Sequence, residues 1–430
     1  MSREAELYVV RTGEGGEKKK ERASARALRA RAEARPTLPP DAYGMLTTVV
    51  VLVFFGLLMV YSASYVQGVY QAGDAHYYIV RQLLCLAIGL AAAAAAYGVS
   101  RHLDLFKLAV PAVALAALLV VLVRFFGTEA YGARRWIEIG GIRLQPSELA
   151  KFAVIVFAAR QLTILEYRGA IDDLLEVARA LWPVAFVAVL VVLQPDMTTG
   201  FLILAAALLT FYYSKTRLAT LLRLAAPLSP LIAVAAIFLR YRRGRLLSFI
   251  ASFLDPLKGS YQVRQSVYGL ARGGLFGEGL GRSIEKYLYL PAAHTDFIAS
   301  IIGEELGLVG LALVVVMFVL FCFTGLRFGL KVASPFARKV ILACVSLIGM
   351  QAFINLGSAI GLLPVVGVPL PFVSYGGTSL IANLMALGMM VGLAARGGGD
   401  EDRLYRRRDR RPRVSSDQRH TRAEDDLELL

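Results

Sequence analysis

Ten apolar runs follow one another along the chain, near 45–65, 78–99, 106–126, 147–164, 175–193, 198–213, 221–239, 297–323, 340–363 and 379–395. At 1.5 Å per helical residue most can cross roughly 30 Å of hydrocarbon. The pattern therefore predicts an all-α, polytopic integral membrane protein with about ten transmembrane helices. Runs five and six are short, and only the hairpin Gln194-Pro195-Asp196 parts them. Between runs seven and eight lies a large polar loop, 240–296, long enough to carry structure of its own. Within it Leu246, Phe249, Ile250, Phe253 and Leu254 recur at helical spacing opposite Arg245, Ser248 and Ser252, predicting an interfacial helix over 245–254. A polar helix is expected over 260–272. The glycine-rich stretch 273–281 lacks the Gly-Lys-Ser/Thr of a P-loop, leaving two readings: a compact turn, or backbone left bare for a phosphate.

Composition sharpens the membrane assignment. The 430 residues are 57% hydrophobic and 18% charged, with a mean hydropathy of +0.58. Residues 1–43 and 396–430 hold much of that charge, so the middle is about 12% charged, where a soluble domain has roughly 25%. A soluble α/β enzyme, a disordered chain and a secreted disulfide scaffold are excluded. Cys85, Cys322 and Cys344 all lie in apolar runs, without metal-ligand spacing. The net charge of +15 sits in two mixed tails and short loops, which suits a cytoplasmic flank beside anionic lipid and not nucleic acid. The organisation read from this is a disordered basic cytoplasmic tail (1–43), a membrane domain (44–395) and a disordered charged cytoplasmic tail (396–430), with no cleavable signal peptide. Lys and Arg in the loops orient the chain with both termini in the cytoplasm. Two outside loops break the rule: 127–146 carries Arg134, Arg135 and Arg143, and 240–296 carries nine Lys/Arg against four Asp/Glu. Those cations are expected to face something anionic outside.

Polar residues inside apolar runs are the best pointers to function, because hydrocarbon tolerates them only against protein or water. Glu148 and Lys151 share a face of run four, as a structural ion pair or as a charged cavity wall. Gln351, Asn355 and Ser358 form a stripe on run nine, and Ser379 and Asn383 one on run ten; interhelical glue and a hydrated groove both fit. Asp296, where the long loop meets run eight, is either a helix-start residue or a general base or metal ligand at the membrane boundary. Asp196 has the same two readings, and His294 is expected to be structural. A stripe of Ser300, Gly303 and Gly307 lets a neighbour come close. Three prolines and four glycines over 361–379, including Ser374 in FVSYGG, rule out a continuous helix and predict a re-entrant turn lining a cavity.

Six motifs in order, Gly132-Ala133-Arg134-Arg135-Trp136-Ile137, Gln145-Pro146-Ser147-Glu148 with Lys151, Gln194-Pro195-Asp196, the stretch from Gly279 to His294-Thr295-Asp296-Phe297, Gly303-Glu304-Glu305-Leu306-Gly307, and Pro369 to Gly377, resemble the SEDS (shape, elongation, division, sporulation) family over about 45–395. Tyr261-Gln262, Gln265-Ser266 and GLGRSIEKYLYLP are nearer its FtsW than its RodA branch. The hairpin departs from the family's commoner Asp-Leu-Gly-Thr, reading Asp196-Met197-Thr198-Thr199. The resemblance implies a peptidoglycan glycosyltransferase that polymerises lipid II into glycan strands on the outer face of the cytoplasmic membrane, in septal division. It implies Asp296 as the essential acid residue, with Arg135, Glu148 and Lys151 lining the cavity, and a class B penicillin-binding protein, a transpeptidase, as partner beside other divisome proteins. From the loop charges, Arg135, Arg240, Arg243 and Lys286 are expected to hold pyrophosphate, with Asp196, Gln351, Asn355, Ser374 and Ser379 as further substrate contacts. The residues name no cofactor, though a divalent cation (Mg or Mn) bridging carboxylate and pyrophosphate is chemically reasonable. A lipid II flippase, an elongation polymerase of the RodA type and a recruiting scaffold are the competing readings.

Overall fold

The computed structural model describes residues 38–130, 133–139, 142–194, 196–226, 248–250 and 259–396. Eleven helices run in order among them: α1 (Pro40–Ala72), α2 (Tyr77–His102), α3 (Leu105–Phe126), α4 (Pro146–Arg168), α5 (Leu174–Val192), α6 (Met197–Tyr212), α7 (Leu218–Ala225), α8 (Tyr261–Gly273), α9 (Ile298–Lys331), α10 (Pro335–Ala359) and α11 (Gly377–Arg396). Nine of the ten apolar runs coincide with a helix. The seventh begins in α7 and its remainder lies outside the described residues, as do both tails, Arg240, Arg243 and, apart from helical Ser248–Ile250, the interfacial helix expected over 245–254.

The all-α expectation holds, with one small addition. Segment 127–146 folds as a three-stranded antiparallel sheet of β1 (Thr128–Ala130), β2 (Ala133–Ile139) and β3 (Ile142–Leu144), with Thr128 opposite Trp136 and Ile137 opposite Leu144. Two of the strands have only three residues, and the seven of β2 are easily passed over beside the long apolar runs on either side.

Seven of the described helices are long and apolar enough to cross a membrane. Helix α4 carries Glu148, Lys151, Arg160, Glu166 and Arg168, while α6 has only 16 residues. Helix α4 can carry those charges because α3, α5, α6, α10 and α11 all pack against it. Phe54, Phe126, Trp182 and Leu313 instead face outward from the surrounding helices, a surface suited to lipid and untenable in water. Helices α2 and α11 approach through Gly388 and Gly392. A Cβ on Gly388 would fall 2.0 Å from the Ala93 carbonyl oxygen, a small-xxx-small contact of the kind that lets membrane helices close up.

Helix α9 is broken at Gly307 (φ +67°, ψ −164°). In an unbroken helix the amides of Leu308 and Val309 would bond the carbonyls of Glu304 and Glu305. Here they donate to the carbonyls of Gly274 and Leu275 at 2.9 and 3.2 Å, and the amides of Glu278 and Gly279 donate to Glu304 and Glu305, both at 3.0 Å. The glycine loop is thus spliced into the helix, and the peptide groups freed by the break find partners without water. Bare backbone is what permits it: a Cβ on Gly277 would lie 2.2 Å from the Glu305 oxygen, and one on Gly307 2.4 Å from that of Leu275. The glycines of 273–281 therefore serve a compact, helix-contacting turn.

Two adjacent buried carboxylates fasten the rest of the loop. Glu304 accepts from Arg272 at 2.7 Å, from the amides of Ile284 and Glu285 at 2.9 and 3.3 Å, and from the Ser283 hydroxyl. Glu305 takes Lys286 Nζ at 2.8 Å and the Ser62 hydroxyl of α1 at 2.6 Å, with Lys286 also over the Tyr65 ring.

Gly277→Ala is expected to lower stability by at least about 2 kcal/mol, through strain at φ +80° and overlap with α9. Gly281→Ala, at φ +78° with nothing within 4 Å of its Cβ, should cost only about 1 kcal/mol; thermal unfolding in detergent compares the two. Glu305→Ala, which strands Lys286, should cost about 3–5 kcal/mol. The double variant Lys286→Met with Glu305→Gln should regain most of that, because the amide oxygen still accepts from Ser62.

Candidate functional site

The loop-rich end of the bundle gathers most of the residues singled out by the sequence. Asp196 caps α6: Oδ1 accepts from the Thr199 amide at 3.2 Å and Oδ2 from Gln145 Nε2 at 2.8 Å. Both oxygens of this buried carboxylate are thereby engaged in holding the fold, which favours its helix-start reading. Asp296 differs. The cap position of α9 is Phe297, and Asp296 stands one residue before it in the turn 292–297. It is half-buried and lines a narrow crevice with Phe297, Asn355, Ser358 and residues 365–368.

The far wall of that crevice is the irregular segment between α10 and α11, at the position of the expected re-entrant turn. Gly361, Gly367 and Phe372 have positive φ there, and Gly367 packs close to the Asp296 carboxylate, its notional Cβ lying 3.6 Å from Oδ2. The stripe on α10 holds this turn. Ser358 Oγ donates to the Pro364 carbonyl at 3.1 Å, and Asn355 Nδ2 donates to Val368 at 2.7 Å and to the main-chain oxygen of Asp296 at 2.8 Å. Ser374 Oγ accepts from the Leu370 amide at 2.8 Å inside the same turn. Ser379 is buried on α11 and accepts from Asn383 Nδ2 at 3.3 Å. Gln351 is buried one turn from Asn355, and its Oε1 has no protein partner.

Hydrogen bonds link these groups into one belt. Arg135 Nε on β2 donates to the Gln194 carbonyl at 3.1 Å, two residues before Asp196. The Gln145 amide donates to Thr378 Oγ1 at 3.0 Å, and Thr198 Oγ1 to the Val366 carbonyl at 2.8 Å, close to the oxygen of Val368 that Asn355 grips. Glu148 and Lys151 follow Gln145 on α4 and pair at 2.9 Å, both buried, so the geometry is that of an internal ion pair. Lys286 departs from expectation. Locked against Glu305 with its side chain fully buried, it is spent inside the protein, because burial of a lysine demands such a partner.

Tyr78 and Gln82 escape a reading of the sequence, and the contacts of His294, Tyr375, Glu304 and Glu305 emerge only in the fold. Tyr78, His294 and Tyr375 cluster with ring centroids 4.6–5.4 Å apart, and the Tyr375 amide donates to the His294 carbonyl at 2.9 Å. Gln82 on α2 donates to the Ser374 carbonyl at 3.2 Å. Glu304 and Glu305 stand out in the sequence only as part of a motif. Among the described residues no three His, Cys, Asp or Glu side chains come together as metal ligands.

Residues 43–397 match the FtsW/RodA/SpoVE family, described as cell cycle proteins. The probable peptidoglycan glycosyltransferase FtsW of Geobacter metallireducens is 36% identical over 356 residues, covering 82% of this chain and 94% of that protein. Stage V sporulation protein E of Bacillus subtilis is 34% identical, with 83% and 97% covered. Among solved structures, a chain from a study of how a peptidoglycan synthase complex coordinates polymerization and crosslinking has a TM-score of 0.62 at 26% identity, covering 82% of this chain and 97% of that one. The rod shape determining protein RodA of Thermus thermophilus has a TM-score of 0.58 at 26% identity, with 82% and 96% covered. Matched by the family over residues 43–397 and by these relatives over more than four fifths of its length, the chain belongs to the FtsW/RodA/SpoVE family.

Proposed function

We propose that this protein is a peptidoglycan glycosyltransferase that polymerises lipid II at the outer face of the cytoplasmic membrane, in septal division, with Asp296 as its general base. The observation that carries the assignment is the place of Asp296: it lines the crevice facing Gly367 of the re-entrant turn, just outside α9, where the long loop rejoins the bundle. The Asp296 carboxylate takes the proton of the GlcNAc 4-hydroxyl as that oxygen bonds to the MurNAc anomeric carbon. The bond from that carbon to the diphosphate breaks with inversion, and its electron pair leaves on undecaprenyl diphosphate. Arg135, at the rim of the belt, supplies charge-assisted hydrogen bonds to the departing diphosphate, and Arg240 and Arg243, in the loop that follows run seven, are assigned the same task. A divalent cation would draw most of its ligands from the diphosphate and would neutralise part of its charge. A class B penicillin-binding protein is the proposed partner, in keeping with the crosslinking complex that contains a relative.

The transporter reading fits the interior less well. Between Lys151 and Thr163 of α4 the buried residues are Phe152, Val154, Ile155, Val156, Phe157, Ala158, Ala159 and Leu162. This largely apolar stretch, in which only Arg160 and Gln161 are polar and both are partly buried, parts Glu148 and Lys151 from the buried pair Glu166 and Lys339 near the other end.

General-base catalysis contributes on the order of 10²–10⁴ in rate. Asp296→Asn should lose polymer yield by that factor in a labelled lipid II assay while still folding; wild-type yield would remove Asp296 from the mechanism. His294 is unsuited to the same role, since burial pushes its imidazole down to about 4 and keeps it neutral. The unfolded chain then binds a proton near pH 6.5 that the folded chain refuses until about 4. Stability should accordingly fall as pH drops through that window, and His294→Gln should flatten the decline in detergent melts.

A further inference from the structure

Asn355 sits at the junction of the three elements that make the crevice. Its side chain is 1% exposed, and its one amide nitrogen donates both to the main-chain oxygen of Asp296 and to that of Val368. One group thus ties the turn that carries the carboxylate to the turn that forms the opposite wall. A second bond holds the same two segments from the other side, from the Tyr375 amide to the His294 carbonyl. Both are main-chain attachments, so they fix where the backbone beside the Asp296 carboxylate stands. A group placed this way need not touch substrate to matter, because an error of about 1 Å in a reacting atom can cost on the order of a hundredfold in rate.

We infer that Asn355 is a positioning residue: through its bridge between Asp296 and Val368 it sets the distance from the carboxylate to the re-entrant turn, and so the place where the attacking hydroxyl must sit. This rests on the reading of Asp296 as general base. It replaces the expectation that Asn355 binds substrate directly. A direct contact would show in affinity, whereas a bridge acting through Asp296 shows in turnover.

The test uses the full-length protein with its transpeptidase partner and titrates labelled lipid II. Asn355→Ala is expected to lower kcat by roughly 10- to 100-fold with KM within about twofold of wild type. Asn355→Asp, equal in size but unable as a carboxylate to donate to two carbonyls, should show the same split, and it answers the question if the alanine variant does not fold. Ser346→Ala removes a hydrogen bond to Tyr213 from the same helix, well away from the crevice, and should leave both constants unchanged. Unaltered kcat in both Asn355 variants overturns the inference, as does a rise in KM alone, which would make Asn355 a substrate contact. Asp296→Asn measured alongside separates the two readings: full turnover from it removes the base and with it the object positioned, whereas an inactive Asp296→Asn beside an undiminished Asn355→Ala overturns the positioning role alone.

Discussion

The peptide group's demand for a hydrogen-bond partner where water is scarce governs this molecule. A helix interrupted in or near hydrocarbon strands amides and carbonyls that solvent cannot rescue. The interruption of α9 is tolerated because the loop returning from α8 donates and accepts in the helix's place. That exchange needs backbone without side chains on both partners, hence Gly277 and Gly307. Once it is made, the loop's path is set, and Glu304 and Glu305 are brought beneath Ser283 and Lys286 to fasten the remainder of the loop. The turn containing Asp296 is the last stretch of that path.

The same economy shapes the opposite wall of the crevice. The segment between α10 and α11 has few internal partners for its carbonyls, so helices supply them: Ser358 and Asn355 from α10, Thr198 from α6 and Gln82 from α2. Several polar side chains inside the bundle are thus spent on irregular backbone. A helical scaffold can thereby present a carboxylate from a turn, at a place no helix face could reach.

Much of this is legible in the sequence. Apolar runs locate nine helices, because a residue facing lipid and one facing another helix can both be aliphatic, and the period hardly matters. The glycines and prolines of 361–379 announce the turn. Less visible are features that depend on who the neighbour is. Lys286 reads as a free cation because its partner Glu305 is supplied by a helix on which the sequence alone places no loop. Asp196 and Asp296 have identical local signatures, and only the presence of Gln145 at one and a one-residue offset at the other tell them apart. The small sheet carries its signal in Gly140-Gly141 between β2 and β3, outweighed by the long apolar segments around it.

The middle of α4 has a bearing on how its charges behave. It is packed with Phe, Val and Ile, with Arg160 partly buried among them, and five of the described helices lie against it. On α4, then, the charged pair at the crevice end and the pair at the opposite end are insulated from each other by aliphatic and aromatic packing.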